Sequence, residues 1–332
     1  MEIDKSNIKN VQSIKLRTYF EPIGAYKNGR CYEYIQIPDE NKKNEGIIKV
    51  VNITKYENEE KAYVRAYDLN NIGQSIMDIA NFVCQDGAPA HNNIYRGKYL
   101  GNRITDAQYE EIENGTFRDM FIGDYWIIKG KYTINNQEEH YEVICRIAAF
   151  DYCYLTGEGT YNDLLKKHHI TIVTDNSFGN AAMYINDYKK YFKDSGYANS
   201  EIRTKQLQSA YLAINGKNNV NILTHKRLFS KSITKDGVFD YGWFDSNVEL
   251  MNEVQIYGTV ICGRERANST VDNRQFPLFS IDFSKINIGV TYLLSSIHSE
   301  DFCCCVRSEG FADIYNVDQK AEMRITFSIF KK

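Results

Sequence analysis

A series of short strand-like runs in the last part of the chain constrains its fold more than any other feature. Each run is rich in β-branched and aromatic residues and is bounded by polar turn residues, as in antiparallel strands joined by tight loops. The runs cover residues 276–283, 292–297, 302–306, 311–315 and 323–330. Because two helices precede them and no internal repeat is present, the pattern predicts an α+β domain with short antiparallel strands.

The beginning of the chain also has a strand-like pattern. Residues 31–37 and 47–51 are short runs rich in β-forming residues, and the charged stretch between them indicates a loop. Residues 56–61 have the composition of a hairpin tip. We therefore predict a small β-rich N-terminal domain.

A helical pattern follows these strands. Five apolar residues recur at spacings of three, four, three and four: Leu69, Ile72, Ile76, Ile79 and Val83. These spacings place all five on one face of a helix. The face either docks on its own domain or forms the seam of a homo-oligomer, a dimer or a trimer, and both interpretations stay open.

Breaks in the pattern divide the chain into three parts. The stretch 85–90 contains Gly87 and Pro89 and ends the first domain, so residues 1–90 form the β-rich domain with its terminal helix. Residues 91–120 are predicted to be a linker with a short helix over 106–114, because Thr105 and Gln108 have capping-box spacing. Residues 121–332 form the second domain.

Several elements are predicted inside the second domain. An extended run over 121–128 turns at residues 129–130, and a longer one covers 141–154. Ser200 is predicted to cap a helix near 200–214. Ser246 and Glu249 have capping-box spacing for a second helix that stops at Gly258.

Charge and hydropathy exclude several classes of partner. Forty basic and 43 acidic residues give a net charge of -3, so no overall positive field attracts nucleic acid or anionic membranes. The first residues lack the apolar segment of a signal peptide, and no apolar run reaches the roughly 20 residues that span a bilayer. We expect a chain made in a cytoplasm, with its cysteines reduced and mostly buried.

The residues most suggestive of chemistry have ordinary structural explanations. His168 and His169 lack the partner spacing of a metal site, and Asp236, Asp240 and Asp245 fit no known calcium loop. The two tryptophans, Trp126 and Trp243, are expected in the core. We therefore predict no metal, no cofactor, no catalytic residues and no enzymatic activity.

Five segments carry a recognisable signature in a fixed order. They are 93–101 (NIYRGKYLG), 122–128 (IGDYWII), 146–152 (RIAAFDY), 168–169 (HH) and 243–253 (WFDSNVELMNE). Together they resemble a family of virion proteins in phages and prophages of low-GC gut bacteria. The resemblance covers about residues 91–330 and implies a structural role in the virion, on a head fibre or at the tail tip.

The last part of the chain, from Gln275 to Phe327, further resembles the C-terminal half of C-type-lectin-like domains of the formylglycine-generating-enzyme type. Phage receptor-binding proteins use that fold as a platform for a variable surface. Two short motifs differ. Residues 292–295 read YLLS where related sequences have YWLR, and residues 322–325 read EMRI where they have GVRP.

The resemblance implies a virion surface protein that contacts other virion proteins and presents a lectin-like face to a host or mucosal glycan. It places the binding surface on the late loops, with these candidate residues: Ser299, Glu300, Asp301, Arg307, Glu309, Tyr315 and Asn316. A purely structural capsid-decoration or baseplate component is the alternative. An enzyme that acts on cell-surface polysaccharide is the least favoured hypothesis.

Overall fold

A computed structural model of the protein describes residues 32–38, 46–52, 87–134, 137–184, 196–217, 220–264 and 274–332. The chain divides into two compact units, Met1–Ser75 and Ile76–Lys332. The predicted domain boundaries, at residues 90 and 120, differ from this division.

In the first unit, strands β1 (Tyr32–Pro38) and β2 (Gly46–Asn52) form an antiparallel hairpin. Both strands are where the β-rich runs predict them. The predicted hairpin tip at 56–61 and the helical seam from Leu69 to Val83 lie outside the described residues.

The second unit is built around a six-stranded sheet. In spatial order its strands are β10 (Val248–Leu250), β15 (Ile325–Ile329), β6 (Ile170–Thr174), β5 (Gln137–Phe150), β4 (Tyr125–Ile134) and β3 (Tyr99–Gly101). All neighbours are antiparallel except β3 and β4. The last strand of the chain is therefore enclosed between two earlier ones.

A second sheet has five strands. In spatial order they are β13 (Ala312–Asn316), β12 (Phe302–Val306), β11 (Tyr292–Ile297), β14 (Ala321–Glu322) and β7 (Asn180–Ala181). Strands β11, β12 and β13 follow one another as an antiparallel meander. A separate long hairpin consists of β8 (His225–Thr234) and β9 (Gly237–Ser246).

Short helices cover these sheets. They are α1 (Ala88–His91), α2 (Asp106–Glu113), α3 (Gln208–Lys217), α4 (Glu253–Tyr257) and α5 (Pro277–Ile281). A π-helical turn, Ile202–Leu207, leads into α3, and 3-10 turns cover Tyr197–Asn199 and Phe283–Ile286. This mixture of helices and largely antiparallel strands confirms the predicted α+β class.

Two helix starts confirm the capping signals in the sequence. Thr105 and Gln108 form the predicted capping box of α2, with hydrogen bonds of 2.9 and 3.2 Å. The side chain of Ser200 accepts the backbone N–H of Arg203 at 3.3 Å, at the start of the helical segment that ends with α3. Hydrogen bonds from the capping side chains therefore fix where both helical segments start.

The predicted capping box at Ser246 and Glu249 is wrong. Val248–Leu250 is strand β10, which pairs with β15, and the buried Glu249 binds Tyr197 and Arg203. The helix begins later, with Asn252 and Gln255 as its capping box, and it ends at Gly258 as predicted. Sheet pairing with a distant segment outweighs the local signal.

Two further predictions, a strand at 276–283 and a turn at 129–130, are also wrong. The stretch 276–283 contains helix α5, because Pro277 occupies its first turn, where proline's fixed backbone angle suits a helix. Strand β4 continues without a turn through residues 129–130 to Ile134 and pairs with β5 along its whole length. The other four late runs coincide closely with β11, β12, β13 and β15.

Residues 91–120, for which the sequence predicts a linker, contribute to the core of the second unit. Tyr109, Ile112, Phe117 and Met120 are buried there. Among the described residues, no helix is both long enough and apolar enough to cross a membrane.

Candidate functional site

The predicted ligand residues come from both ends of strand β12, and the guanidinium of Arg307 lies 5.4 Å from the centroid of the Tyr315 ring. Ser299, Glu300 and Asp301 precede β12, whereas Arg307 and Glu309 follow it, so they lie at opposite ends of a strand of roughly 17 Å. Asn316 pairs with Phe302 at the first of these ends. Of the seven candidates, only Glu309 is exposed and the others are half-buried. Contact of these residues with a ligand stays a prediction.

Two of the seven side chains have a role in the fold. Arg307 donates to the carboxylate of Asp313 at 2.7 Å and to the carbonyl oxygen of Ile314 at 3.2 Å. The hydroxyl of Tyr315 donates to the carbonyl oxygen of Lys320 at 3.2 Å. Both side chains therefore hold the edge of the second sheet together.

A small polar pocket opens beside the turn that ends at Lys320. Its volume is about 280 Å³, and Asn180, Glu201 and Lys205 are among the residues that line it. Lys205 is already paired with Glu201 at 2.6 Å. Lys320 is the other cation that lines the pocket.

A more distinctive surface lies at one end of the six-stranded sheet. We call it the tyrosine surface and define it by Tyr95, Tyr99, Tyr125, Arg146 and Asp282. Three of the sequence segments of the signature meet here, because Tyr99 is opposite Tyr125 and Tyr125 is opposite Arg146 in neighbouring strands. Tyr95 joins them through an isolated bridge to Ile122.

The ring of Tyr95 has a fixed position. A Cβ atom at Gly123 would lie 2.3 Å from its Cε2 atom, so the absence of a side chain at Gly123 allows the ring to lie against the backbone. The carboxylate of Asp282 lies close enough to the hydroxyl of Tyr95 to raise the pKa of that phenol. Tyr95 is 36% exposed, which leaves part of its ring open to solvent.

Tyr125 is held between two planar groups. The ring of Tyr99 lies 5.6 Å away, and the guanidinium of Arg146 lies 4.7 Å from the centroid of the Tyr125 ring. Nε of Arg146 is 2.8 Å from both carboxylate oxygens of Asp175, and Nη1 donates to the carbonyl oxygen of Gly123. Since Arg146 is buried, it forms a rigid base beneath the exposed rings.

The acid–base state of this surface follows from its contacts. Burial and the nearby carboxylate of Asp282 raise the pKa of Tyr95. The hydrogen bond from the Ser284 hydroxyl, with a smaller contribution from Tyr95, lowers the pKa of Asp282 below its usual value of 3.8. Tyr95 is therefore a neutral phenol and Asp282 a carboxylate near neutral pH.

His168 and His169 occupy different environments. Nδ1 of His168 lies 2.6 Å from the carboxylate of Asp151, and its ring stacks on Tyr154. His169 is buried, accepts the backbone N–H of Cys153 at Nε2, and has a pKa lowered by burial. The described residues contain no group of three or more His, Cys, Asp or Glu side chains positioned to hold a metal ion.

The remaining candidates are distributed through the fold. Trp126 is fully buried and donates its indole N–H to Gln108, as expected for a core residue, whereas Trp243 is half-buried on strand β9. Asp236 lies in the turn before β9, and Asp240 and Asp245 lie on that strand. The six described cysteines are free thiols, and all but Cys262 are buried.

Comparison of the chain with protein-family models, with curated proteins and with solved structures finds no match. The described residues themselves define an α+β protein with an ordered, partly exposed tyrosine surface.

The sequence analysis missed the tyrosine surface as a site. Its members come from segments far apart in the chain, and the chain has 25 tyrosines, so composition does not single out these three. The available signal was that Tyr95, Tyr99, Tyr125 and Arg146 all lie in segments of the ordered signature. Only the pairing of β3, β4 and β5 brings them together.

Proposed function

We propose that this chain is a bacteriophage virion surface protein, on a head fibre or at the tail tip, whose second unit attaches the particle to a host or mucosal glycan. The N-terminal part holds the chain on the particle, through other virion proteins, and helps to form a homo-oligomer. Several weak sites presented together gain avidity, which suits a multicopy position on a particle. The activity needs no catalytic residue.

One observation carries this proposal. Three signature segments, 93–101, 122–128 and 146–152, are separate in sequence yet adjoin in β3, β4 and β5 and present the tyrosine surface. A packing role alone does not require partly exposed aromatic rings at this position. Their arrangement supports a binding function for the unit.

The second sheet supports a C-type-lectin-like fold for the same unit. In it, β11, β12 and β13 form an antiparallel meander, and the chain then returns to the first sheet through β15. Leu293 and Ser295, at the positions where related sequences have tryptophan and arginine, are both buried. These two differences therefore alter packing rather than an exposed ligand contact.

The proposal is tested on purified phage particles. Antibodies raised against the full-length chain should label intact virions in immunogold electron microscopy, and the chain should be present in their proteome. The soluble full-length protein should also compete with the particles for adsorption to host cells or mucus. Absence from particles would refute the virion assignment, and presence without any competition would favour the purely structural alternative.

A further inference from the structure

The tyrosine surface has the properties of a sugar-binding site. We propose that it binds a neutral pyranose through stacking on Tyr95 and Tyr99 and a hydrogen bond to Asp282. The inference rests on the proposed function, since it identifies the binding site and the class of its ligand.

The aromatic groups provide the first argument. An aromatic ring offers a flat apolar face to the C–H groups of a sugar while its polar edge stays in water. Tyr95 and Tyr99 are 36% and 48% exposed, and Tyr95 is fixed against Gly123. Rings that are already ordered lose little conformational freedom when a ligand binds.

The polar groups provide the second argument. The hydroxyl and the backbone N–H of Ser284 donate to the same carboxylate oxygen of Asp282, at 2.6 and 3.2 Å. The carboxylate is therefore oriented, and since it has about four acceptor positions it can still accept hydroxyl groups. Sugar hydroxyls are suitable donors, and hydrogen bonds to a charged acceptor are the stronger kind.

The balance of charge disfavours acidic sugars. Asp175 and Asp282 provide two carboxylates, whereas Arg146 is the cation within the surface and is already bound by Asp175. A sialic or uronic acid would bring a further negative charge close to the carboxylate of Asp282, which repels it, and Lys285 beside Asp282 only partly offsets that repulsion. The surface therefore favours a neutral ring.

The test uses the full-length protein and immobilised glycans. Neutral probes carry glucose, galactose or N-acetylglucosamine, and acidic probes carry sialic acid or glucuronic acid. We expect binding to at least one neutral probe and none to the acidic ones. Y95A should weaken binding to the neutral probe about tenfold, as expected for the loss of one aromatic stack. The double variant Y95A D282N should bind that probe more weakly still.

A matched control separates the surface from general tyrosine exposure. Tyr161 is 66% exposed on the loop before β6, so Y161A removes a solvent-exposed tyrosine outside the tyrosine surface. It should bind as the unchanged protein does. Circular dichroism and melting temperature show that each variant is folded, and Y95F retains the ring if Y95A does not fold.

Three outcomes would overturn the inference. The folded protein could bind no neutral probe, or it could prefer the acidic probes. The third outcome is that Y95A, or the double variant Y95F D282N, binds the neutral probes as tightly as the unchanged protein. A chain that is on virions and competes for adsorption but fails these tests keeps its proposed function and has its binding site elsewhere. If Y95A instead removes the protein from particles without any sugar binding by the unchanged chain, the surface is a contact with another virion protein and the inference is wrong.

Discussion

Arg307 and Asp313 form an ion pair, with a 2.7 Å hydrogen bond, that closes the edge of the second sheet. Two backbone hydrogen bonds fix the β12–β13 ladder: the N–H of Val317 donates to the carbonyl oxygen of Asp301, and the N–H of Arg307 donates to that of Phe311. Because paired and unpaired positions alternate along an antiparallel ladder, the backbone N–H and C=O of Ile314 point away from β12. Asp313 accepts that N–H at 2.8 Å, and Arg307 donates to that carbonyl. The pair thus satisfies groups that an exposed edge strand would offer to another chain.

Removal of this pair should promote association between molecules. In R307A D313A, the backbone groups of Ile314 become free to pair with a second edge strand. We expect larger species than those of the unchanged protein, and their fraction should rise with protein concentration in sedimentation velocity. K129A E142A removes an exposed pair from the interior strands of the other sheet and should leave the distribution unchanged. Identical sedimentation of all three proteins would show that the edge needs no protection.

Gly123 and Tyr95 should be energetically coupled. Alanine at position 123 would place a Cβ atom 2.3 Å from Tyr95 and would adopt a φ of 87°, which residues with side chains rarely adopt. G123A should therefore lower the free energy of unfolding by about 1 to 3 kcal/mol. In a Y95A background only the backbone strain remains, so the effect should be smaller. Equal effects in both backgrounds, measured by urea denaturation, would show that the ring does not depend on this glycine.

The late strands could be predicted from sequence because their signals are local. Residues 292–297 and 302–306 are short runs of strand-forming residues joined by a tight turn, so sequence neighbours are also neighbours in space. The capping box at Thr105 and the helix end at Gly258 depend on local signals in the same sense. Such elements need no information from the rest of the chain.

Elements that depend on distant contacts could not be predicted. Residues 248–250 become a strand only because β15, far along the chain, pairs with them. The tyrosine surface requires both the parallel pairing of Tyr99 with Tyr125 and the contact between Tyr95 and Asp282. The predicted loop residues were plausible as turn positions, but only the strand pairing shows that they come from both ends of β12.

The buried His169 and the partly exposed His225, whose ring nitrogens are buried, should make stability depend on pH. Their ring centroids lie 6.4 Å apart, and burial lowers the pKa of both below the usual 6.5, with Arg227 also lowering that of His225 and Asp151 partly opposing the shift at His169. The unfolded chain takes up protons at these two histidines near pH 6.5, whereas the folded protein takes them up only at lower pH. The free energy of unfolding should therefore fall with pH, by up to about 1.4 kcal/mol per pH unit for each histidine.

This dependence can be assigned with a single substitution. H225Q removes one of the two groups, so the slope between pH 6.5 and pH 5 should decrease relative to the unchanged protein. Urea denaturation at a series of pH values measures it. A slope that H225Q leaves unaltered would show that other groups cause the acid sensitivity.

Glu253 should determine how often the loop over residues 258–264, which follows helix α4, opens. Its fully buried carboxylate accepts the backbone N–H groups of Ile261, Cys262 and Gly263 at 3.2, 2.9 and 2.8 Å. In E253Q, the amide nitrogen is a donor that cannot accept these bonds, so at least one N–H loses its partner at a cost of about 1 to 3 kcal/mol. The loop should then open more often.

Cys262 reports that opening directly. It is the half-buried cysteine among the described ones, and burial is the largest of the causes that raise its pKa, so its thiol should react slowly in the folded protein. E253Q should accelerate its labelling by a maleimide, and hydrogen exchange should increase at residues 261–263. E249Q, at a buried carboxylate whose bonds go to Tyr197 and Arg203, provides the control because it should not accelerate the labelling of Cys262 specifically. Equal acceleration in both variants would indicate general loosening of the fold, and unchanged labelling in E253Q would show that the loop is held by other contacts.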